Sequence, residues 1–156
     1  MRFFLIDRIT SWQPGRAAEA VKNVALSEDF FDDHFPLKPI LPGVLILEGM
    51  AQLSGLLLEE GLRQQAGRKL KALMSIVEKA KFRIPVKPGE SLRYRAQVLS
   101  VNELGGRVSA EATADGALVA ECTLIFSFHE FDNPVAEARR AELLSMWLGE
   151  PNTHGS

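Results

Sequence analysis

The chain has 156 residues, of which 46% are hydrophobic and 24% are charged, a composition typical of one folded domain. Its formal net charge of −2 at pH 7 indicates no bulk attraction to nucleic acid or to an anionic membrane surface. The single cysteine, Cys122, excludes an intrachain disulfide and a metal site built on several thiolates.

The N-terminal segment predicts a short strand rather than a leader sequence. Residues 3–6 are apolar, but Asp7 and Arg8 follow, so the run is too short for the core of a signal peptide. The longest apolar stretch, residues 44–58, contains two polar side chains and is too short to span a bilayer. We therefore expect a cytoplasmic protein with no membrane partner and no nucleic-acid partner.

A stiff loop precedes the first long helix. After a turn at Pro14-Gly15, residues 18–26 suit a strand, although their Ala-Glu-Ala start also fits a helix. Residues 27–42 are rich in Asp, Phe and Pro. Prolines fix φ at their own positions and push the preceding residues toward extended geometry, and this loop has three of them: Pro36, Pro39 and Pro42.

One long helix is predicted from about Val44 to Gln65, opened by Pro42-Gly43. Apolar residues surround most of its axis, which is typical of a helix buried on nearly all sides. Its second half turns polar from Glu59 onward, where we expect it to emerge into solvent. Other parts of the chain must wrap the apolar half.

The rest of the chain predicts that wrapping. Strands are expected at 70–84, 91–101, 107–114 and 117–128, with a hairpin at Asp115-Gly116. An antiparallel meander after one buried helix indicates an α+β domain, with a curved antiparallel sheet wrapped around one long central helix. We expect this domain to cover residues 1–130. A C-terminal extension, residues 131–156, would carry a short helix from Ala136 to Leu148.

His34 has the context of a functional residue. It lies in the stiff loop just before the buried helix, and such a loop holds a side chain in place as catalysis requires. His129 ends the last strand and fits an ordinary surface histidine, while His154 lies in the polar tail. From context alone, a structural role for His34 stays open.

Glu48 is unusual because it lies in the most apolar part of the helix. Carboxylates are seldom fully buried without a partner. Burial raises the pKa of a carboxyl group, and a general acid needs that proton near neutral pH. Gln52, one turn further on, would face the same way and orient it. A core carboxylate bonded to an amide or a basic side chain is the alternative.

The start of the helix is a third candidate site. Pro42 needs no amide hydrogen there, and Gly43 allows a ligand to approach the backbone closely. The N–H groups of a first helical turn, at the positive end of the helix dipole, suit a developing oxyanion. A plain helix start also fits this pattern.

Together these residues carry a family resemblance. The run His34-Phe35-Pro36-x-x-Pro39-x-x-Pro42-Gly43-Val44-Leu45-x-x-Glu48-x-x-Ala51-Gln52 resembles the signature of bacterial 3-hydroxyacyl-[acyl-carrier-protein] dehydratases of the hot-dog superfamily. Its spacing from histidine to glutamate agrees with that family. Further similar segments at 5–9, 22–24 and 81–90 extend the resemblance over about residues 3–128.

This resemblance implies a hot-dog fold and a reaction. The substrate would be a (3R)-hydroxyacyl thioester on acyl carrier protein, converted to the trans-2-enoyl thioester in fatty acid or related biosynthesis. His34 would be the base, because a histidine with its ordinary pKa of about 6.5 is mostly neutral at pH 7. Glu48 would be the acid, and the Gly43 amide would bind the thioester oxygen. No metal and no other cofactor is required.

The resemblance also implies an assembly and binding surfaces. Family members are homodimers whose active sites combine the histidine of one subunit with the glutamate of the other, and many assemble further as trimers of dimers. Candidate substrate-binding residues, several of which fit plain core equally well, are Phe31, Phe35, Pro42, Val44, Gln52 and Phe82. Basic candidates for contacting an acidic carrier protein are Lys38, Lys81, Arg83 and Lys87.

Two positions depart from the family pattern. Asp33 precedes the histidine and Leu37 follows the His-Phe-Pro run, where the family usually has glycine at both places. These departures bear on chain-length preference, assembly and pathway more than on the chemistry. Separate alternatives are a hot-dog acyl thioesterase, a dehydratase of a polyketide or aryl polyene pathway, and a non-enzymatic acyl-binding domain. Isomerisation of the double bond is disfavoured, because relatives with that second activity typically carry Asp at the position of Glu48.

Overall fold

The computed structural model describes residues 4–130 and 132–150. In this part of the chain the α-helices are α1 (Gly43–Ala66) and α2 (Pro134–Leu148), and a short 3₁₀ helix covers Asp29–Asp32. The strands are β1 (Arg8–Gln13), β2 (Ala17–Asn23), β3 (Leu70–Phe82), β4 (Ser91–Val101), β5 (Gly105–Ala114) and β6 (Ala117–Glu130). His154 and Phe3 lie outside the described residues.

The predicted first strand is misplaced, because β1 begins only at Arg8. The apolar residues Leu5 and Ile6 are buried in the core instead of pairing in the sheet. The Leu5 N–H donates to the side chain of Gln52 at 3.1 Å, and the Asp7 carboxylate accepts the Asn23 N–H at 2.7 Å. An apolar run indicates that its side chains are buried, but not that they form a strand. Here the side chains are buried while their backbone lies outside the sheet.

All strand pairs are antiparallel, in the order β1-β2-β4-β5-β6-β3. The strands β4, β5 and β6 form the predicted meander, but the prediction is wrong for β3, which pairs with β6 at the sheet edge. The connection 83–90, stiffened by Pro85 and Pro88, carries the chain from that edge to the other side of the meander.

The β5–β6 hairpin has the predicted turn. Asp115 and Gly116 both have positive φ, at 50° and 79°, as a two-residue type I′ turn requires. Just beyond it, Thr113 pairs with Leu118 whereas Ala112 pairs with Ala120, so Val119 is an extra residue in β6. This bulge buries Val119, while Leu118, which plain alternation along the strand would place on the same face as Ala120, is only partly buried.

The sheet curls around α1, which is buried on nearly all sides through its middle turns. The predicted emergence into solvent at Glu59 is wrong, since Glu59 is only 4% exposed and exposure begins at Arg63. Its carboxylate accepts from Arg140 of α2 at 3.1 Å and lies 3.6 Å from the ammonium of Lys71 on β3. A second helix and a sheet edge therefore supply the charges that make this burial tolerable.

The helix α2 packs beside α1 and β1. The Asn133 side chain caps its start by accepting the Ala136 N–H at 3.2 Å, and Gly149, with φ 72°, ends it. Arg140 also donates to Glu60 at 3.2 Å, and Leu144 and Trp147 are buried. Neither described helix is long and apolar enough to cross a membrane.

Candidate active site

The loop between β2 and α1 holds His34 through its own backbone hydrogen bonds. The His34 N–H donates to the Phe30 carbonyl at 3.1 Å, and the Ile40 N–H donates to the His34 carbonyl at 3.0 Å. At the end of the loop the Leu41 N–H donates to the Val86 carbonyl at 2.7 Å. These bonds add to the stiffness that the prolines impose, so the imidazole has a fixed position.

The imidazole of His34 is held in one tautomer. Its Nδ1 lies 3.0 Å from the carbonyl oxygen of Ile40. A carbonyl oxygen only accepts hydrogen bonds, so Nδ1 must carry the proton. In the neutral ring this leaves the lone pair on Nε2, the state a general base needs. The ring of Phe35 stacks on the imidazole with centroids 4.4 Å apart.

An ion pair made by a buried lysine stabilises the other end of this loop. Lys22 at the end of β2 is 6% exposed, and its ammonium pairs with Glu28. The second oxygen of Glu28 accepts the Ala25 N–H at 3.2 Å. Sequence reasoning missed this ion pair. The signal was present in β2, where Ala18, Ala20 and Lys22 alternate on the buried face.

The start of α1 lies beside His34. Gly43 and His34 both line a cavity of about 300 Å³, together with residues of the loop and of the segment that follows β3. The first N–H groups of a helix have no acceptor within the helix. A side chain at position 43 would meet the ring of Phe82, because a Cβ built there lies 3.0 Å from a ring carbon. A base and a potential oxyanion site thus share one cavity.

Glu48 opens onto a different cavity, of about 560 Å³, between α1, β3 and α2. It is half-buried, so it lies at the wall of a cavity and not inside the packed core. The amide of Gln52 donates to the Glu48 carboxylate at 3.4 Å, while the Gln52 oxygen accepts the Leu5 N–H. Gln52 therefore bridges Glu48 to the N-terminal segment and orients the carboxylate.

The other predicted binding residues are divided between the site and the rest of the molecule. Phe82 packs on Gly43 and Phe35 on His34, whereas Phe31 belongs to the hydrophobic core and Val44 is 69% exposed. Pro42 caps the start of α1, and its carbonyl accepts the Leu45 N–H at 3.0 Å. The structure thus brings part of this set to the cavity of His34.

Two of the basic residues predicted to contact a carrier protein form ion pairs with one carboxylate of β6. Arg83 donates to Glu121 at 2.8 Å, and Lys81 lies 4.0 Å from the same carboxylate. The hydrogen bond from Arg83 and the charge of both cations lower the pKa of Glu121. His129 is exposed and bonds to Ser127 at 2.9 Å. Among residues 4–130 and 132–150, no three His, Cys, Asp or Glu side chains are grouped to hold a metal ion.

Comparison with known proteins supports the family resemblance. Residues 1–128 match the FabA-like domain family. The chain is 40% identical over 134 residues to the 3-hydroxyacyl-[acyl-carrier-protein] dehydratase FabZ of Thioalkalivibrio sulfidiphilus, an alignment covering 84% of this chain and 90% of that protein. It is 44% identical over 125 residues to FabZ of Chlamydia trachomatis serovar L2, covering 80% of this chain and 81% of that protein.

Solved structures confirm the predicted fold class. The hypothetical thioesterase protein of Streptococcus pneumoniae TIGR4, solved with coenzyme A, superposes with a TM-score of 0.63 at 11% identity, covering 81% of this chain and 88% of that one. The dehydratase heterocomplex ApeI:P of Xenorhabdus doucetiae superposes with a TM-score of 0.57 at 20% identity, covering 72% and 88%. At these identities the likeness shows the fold alone, a hot-dog sheet around a central helix.

Proposed function

The chain belongs to the FabA-like domain family, and we propose that it dehydrates 3-hydroxyacyl thioesters on acyl carrier protein in fatty acid biosynthesis, with His34 and Glu48 as its acid–base pair. The observation that carries this proposal is the cavity that His34 and Gly43 line together, with Nδ1 of His34 bonded to the Ile40 carbonyl so that Nε2 carries the lone pair. Hydrolysis of a thioester has no need of a base placed for the C2 proton.

The proposed reaction uses each group once. Nε2 of His34 removes the C2 proton, and charge moves to the thioester oxygen, where the Gly43 N–H donates to it. Glu48 gives its proton to the C3 hydroxyl, the C3–O bond breaks and water leaves as the C2=C3 double bond forms. The net proton transfer from His34 to Glu48 afterwards restores both groups.

We propose that the two residues meet across a homodimer. In one protomer His34 and Glu48 line different cavities, which favours an active site that takes one of the two residues from each copy. Within the described residues, the edge strand β3 pairs with β6 alone and exposes apolar side chains: Leu73, Met74, Ile76 and Val77. An exposed apolar edge favours pairing with a second copy. Assembly beyond a dimer and a cytoplasmic location stay predictions.

The carrier-bound substrate and the limits of the domain are also proposals. We expect Phe35, Phe82 and Gln52 to contact the substrate or its catalytic groups, since they touch His34, Gly43 and Glu48 respectively. We place the end of the dehydratase unit near residue 130, because β6 ends there and the family match ends at 128. Residues 131–156 would then be an added segment.

Turnover of four-carbon thioesters tests the proposed function. Interconversion of crotonyl and 3-hydroxybutyryl groups, on acyl carrier protein and on coenzyme A, is followed by the absorbance of the conjugated enoyl group. We expect wild type to turn over, and His34→Ala and Glu48→Gln to lose at least about a hundredfold. His129→Ala is the control. Equal rates in all variants would remove both residues from the mechanism, and release of free thiol would identify a thioesterase.

A further inference from the structure

The cavity that Glu48 lines continues along α1 to a charged cluster made of the buried Glu59, the partly buried Arg140 and the exposed Lys71. Its lining follows one face of α1 through Gln52, Gly55 and Leu56 to Glu59. At 1.5 Å per residue this path is about 16 Å long. We call this cavity, between α1, β3 and α2, the α2 pocket.

One wall of the α2 pocket comes from the C-terminal helix. Leu143 and Trp147 lie about one turn apart and line it together with Phe4, Leu56 and Phe126. Trp147 is 3% exposed and meets the ring of Phe4 edge-on, with centroids 5.9 Å apart and planes at 81°. This wall is apolar and held in place by packing.

The far end of the α2 pocket is polar. Glu59, Lys71 and Arg140 line it, joined by the two ion pairs that also fix α2 against α1 and β3. A bound apolar chain that reached these groups would displace water from them without replacing its hydrogen bonds. The apolar wall and the charged end therefore favour a hydrocarbon ligand of limited length.

We propose that the α2 pocket holds the acyl chain of the substrate, and that Leu143 and the Glu59–Arg140–Lys71 cluster limit the chain length that the enzyme accepts. This inference rests on the proposed function, because Glu48, which lines the pocket, is the proposed acid. The pocket volume of about 560 Å³ lies within the range of ordinary small-ligand sites. The extension that follows β6 is thus part of the specificity of the enzyme.

Two features of the chain-length profile follow from this arrangement. While added methylenes lie against the apolar wall, each should raise kcat/KM about fourfold, the gain expected from burying one CH₂ group. Once the chain reaches the charged cluster, kcat/KM should stop rising and fall. Wild type should therefore show an optimum at intermediate length and not a continuous increase.

Substitutions at one position of the α2 wall test this directly. Leu143→Trp fills the pocket and should lower kcat/KM for a ten-carbon enoyl thioester at least about tenfold, with the four-carbon substrate within about twofold. Leu143→Ala enlarges the pocket and should move the optimum to longer chains. Val135→Trp and Val135→Ala are matched controls, since Val135 lies on the same helix and is exposed. The controls should keep the wild-type profile.

A binding measurement separates this inference from the proposed function. The probes are saturated S-alkyl pantetheine thioethers of four to fourteen carbons, titrated by calorimetry into wild type and Leu143→Trp. Affinity that rises with length in wild type and is lost for long chains in Leu143→Trp supports the pocket, even if no substrate is turned over. Affinity without length dependence, or identical profiles in both proteins, overturns it, even if four-carbon turnover is normal.

Discussion

At the scale of single residues, His34 and Glu48 depend on neighbours that fix their orientation. The Ile40 carbonyl holds the His34 tautomer, and Gln52 links Glu48 to the backbone of Leu5. The position of Gln52 one turn after Glu48 is visible in the sequence, so their hydrogen bond could be predicted. The Ile40 contact could not, because any residue supplies a carbonyl and only the folded loop brings this one to the imidazole.

Removing the Gln52 amide should impair catalysis without preventing binding. We expect Gln52→Leu to lower kcat about tenfold and to change KM less than about twofold, the loss expected from one hydrogen bond to a charged or reacting group. Steady-state kinetics on the four-carbon substrate measure both constants. A change confined to KM would mean that Gln52 binds substrate and does not orient Glu48.

Cys122 gives a prediction for alkaline pH. Desolvation raises the pKa of this buried thiol from 9.0 to about 11. Because the folded pKa lies above the unfolded value, the stabilisation is complete below pH 9 and is lost as pH rises through about 11. Over this range the free energy of unfolding should fall more steeply in wild type than in Cys122→Ala, as measured by denaturant titrations. Parallel curves would contradict this.

At the scale of helices and strands, elements with a regular sequence pattern were predictable, whereas contacts between elements distant in sequence were not. The long helix, the alternating strands β4 to β6 and the Asp115-Gly116 turn follow from periodicity and turn chemistry, which are local. The burial of Glu59 was not predictable, because its partners Arg140 and Lys71 come from elements distant in sequence. The same holds for β3, whose pairing depends on where the connection 83–90 crosses the molecule.

The ion pairs of Arg140 should hold α2 in place. We expect Arg140→Met to lower the free energy of unfolding by about 3 kcal/mol, because Glu59 stays buried with only Lys71 beside it. The C-terminal helix should become the first site of limited proteolysis. Arg139→Met, at an exposed neighbouring position, is the control for loss of charge. Equal stability and equal proteolysis in both variants would mean that α2 docks by apolar packing alone.

Glu59 should also change how the free energy of unfolding depends on pH. Desolvation raises its pKa above 4.5, against the opposing charges of Lys71 and Arg140. Its contribution is therefore complete below pH 4.5 and is lost as pH rises through the higher folded value. The free energy of unfolding of Glu59→Gln should lack this decline. If wild type and Glu59→Gln showed the same dependence of this free energy on pH above 4.5, the carboxylate would be ionised in the folded protein throughout that range.

At the scale of the whole molecule, the exposed apolar side chains of β3 are the basis for proposing that the chain forms a dimer. Ile76 is half-exposed on this edge strand. A charge there should oppose pairing with a second copy, so we expect Ile76→Glu to produce monomers and to lose activity in parallel. Leu99→Glu places the same charge on an exposed position of the central strand β4 and should leave both unchanged. Sedimentation velocity and turnover measure the two effects.

The sequence of one chain could not reveal that His34 and Glu48 line different cavities. Residue patterns identify both side chains as candidates, but whether they meet within one protomer depends on three-dimensional placement. The proposed active site therefore combines residues of two copies, and single substitutions alone cannot test that combination.

Mixing two inactive variants tests this claim most directly. His34→Ala and Glu48→Gln are purified separately, unfolded and refolded together in equal amounts, and assayed on the four-carbon substrate. If each site combines His34 of one protomer with Glu48 of the other, half of the dimers are mixed and each carries one intact site, so about a quarter of wild-type activity should return. If both residues act within one protomer, every site carries a lesion and the mixture should stay as inactive as its parents.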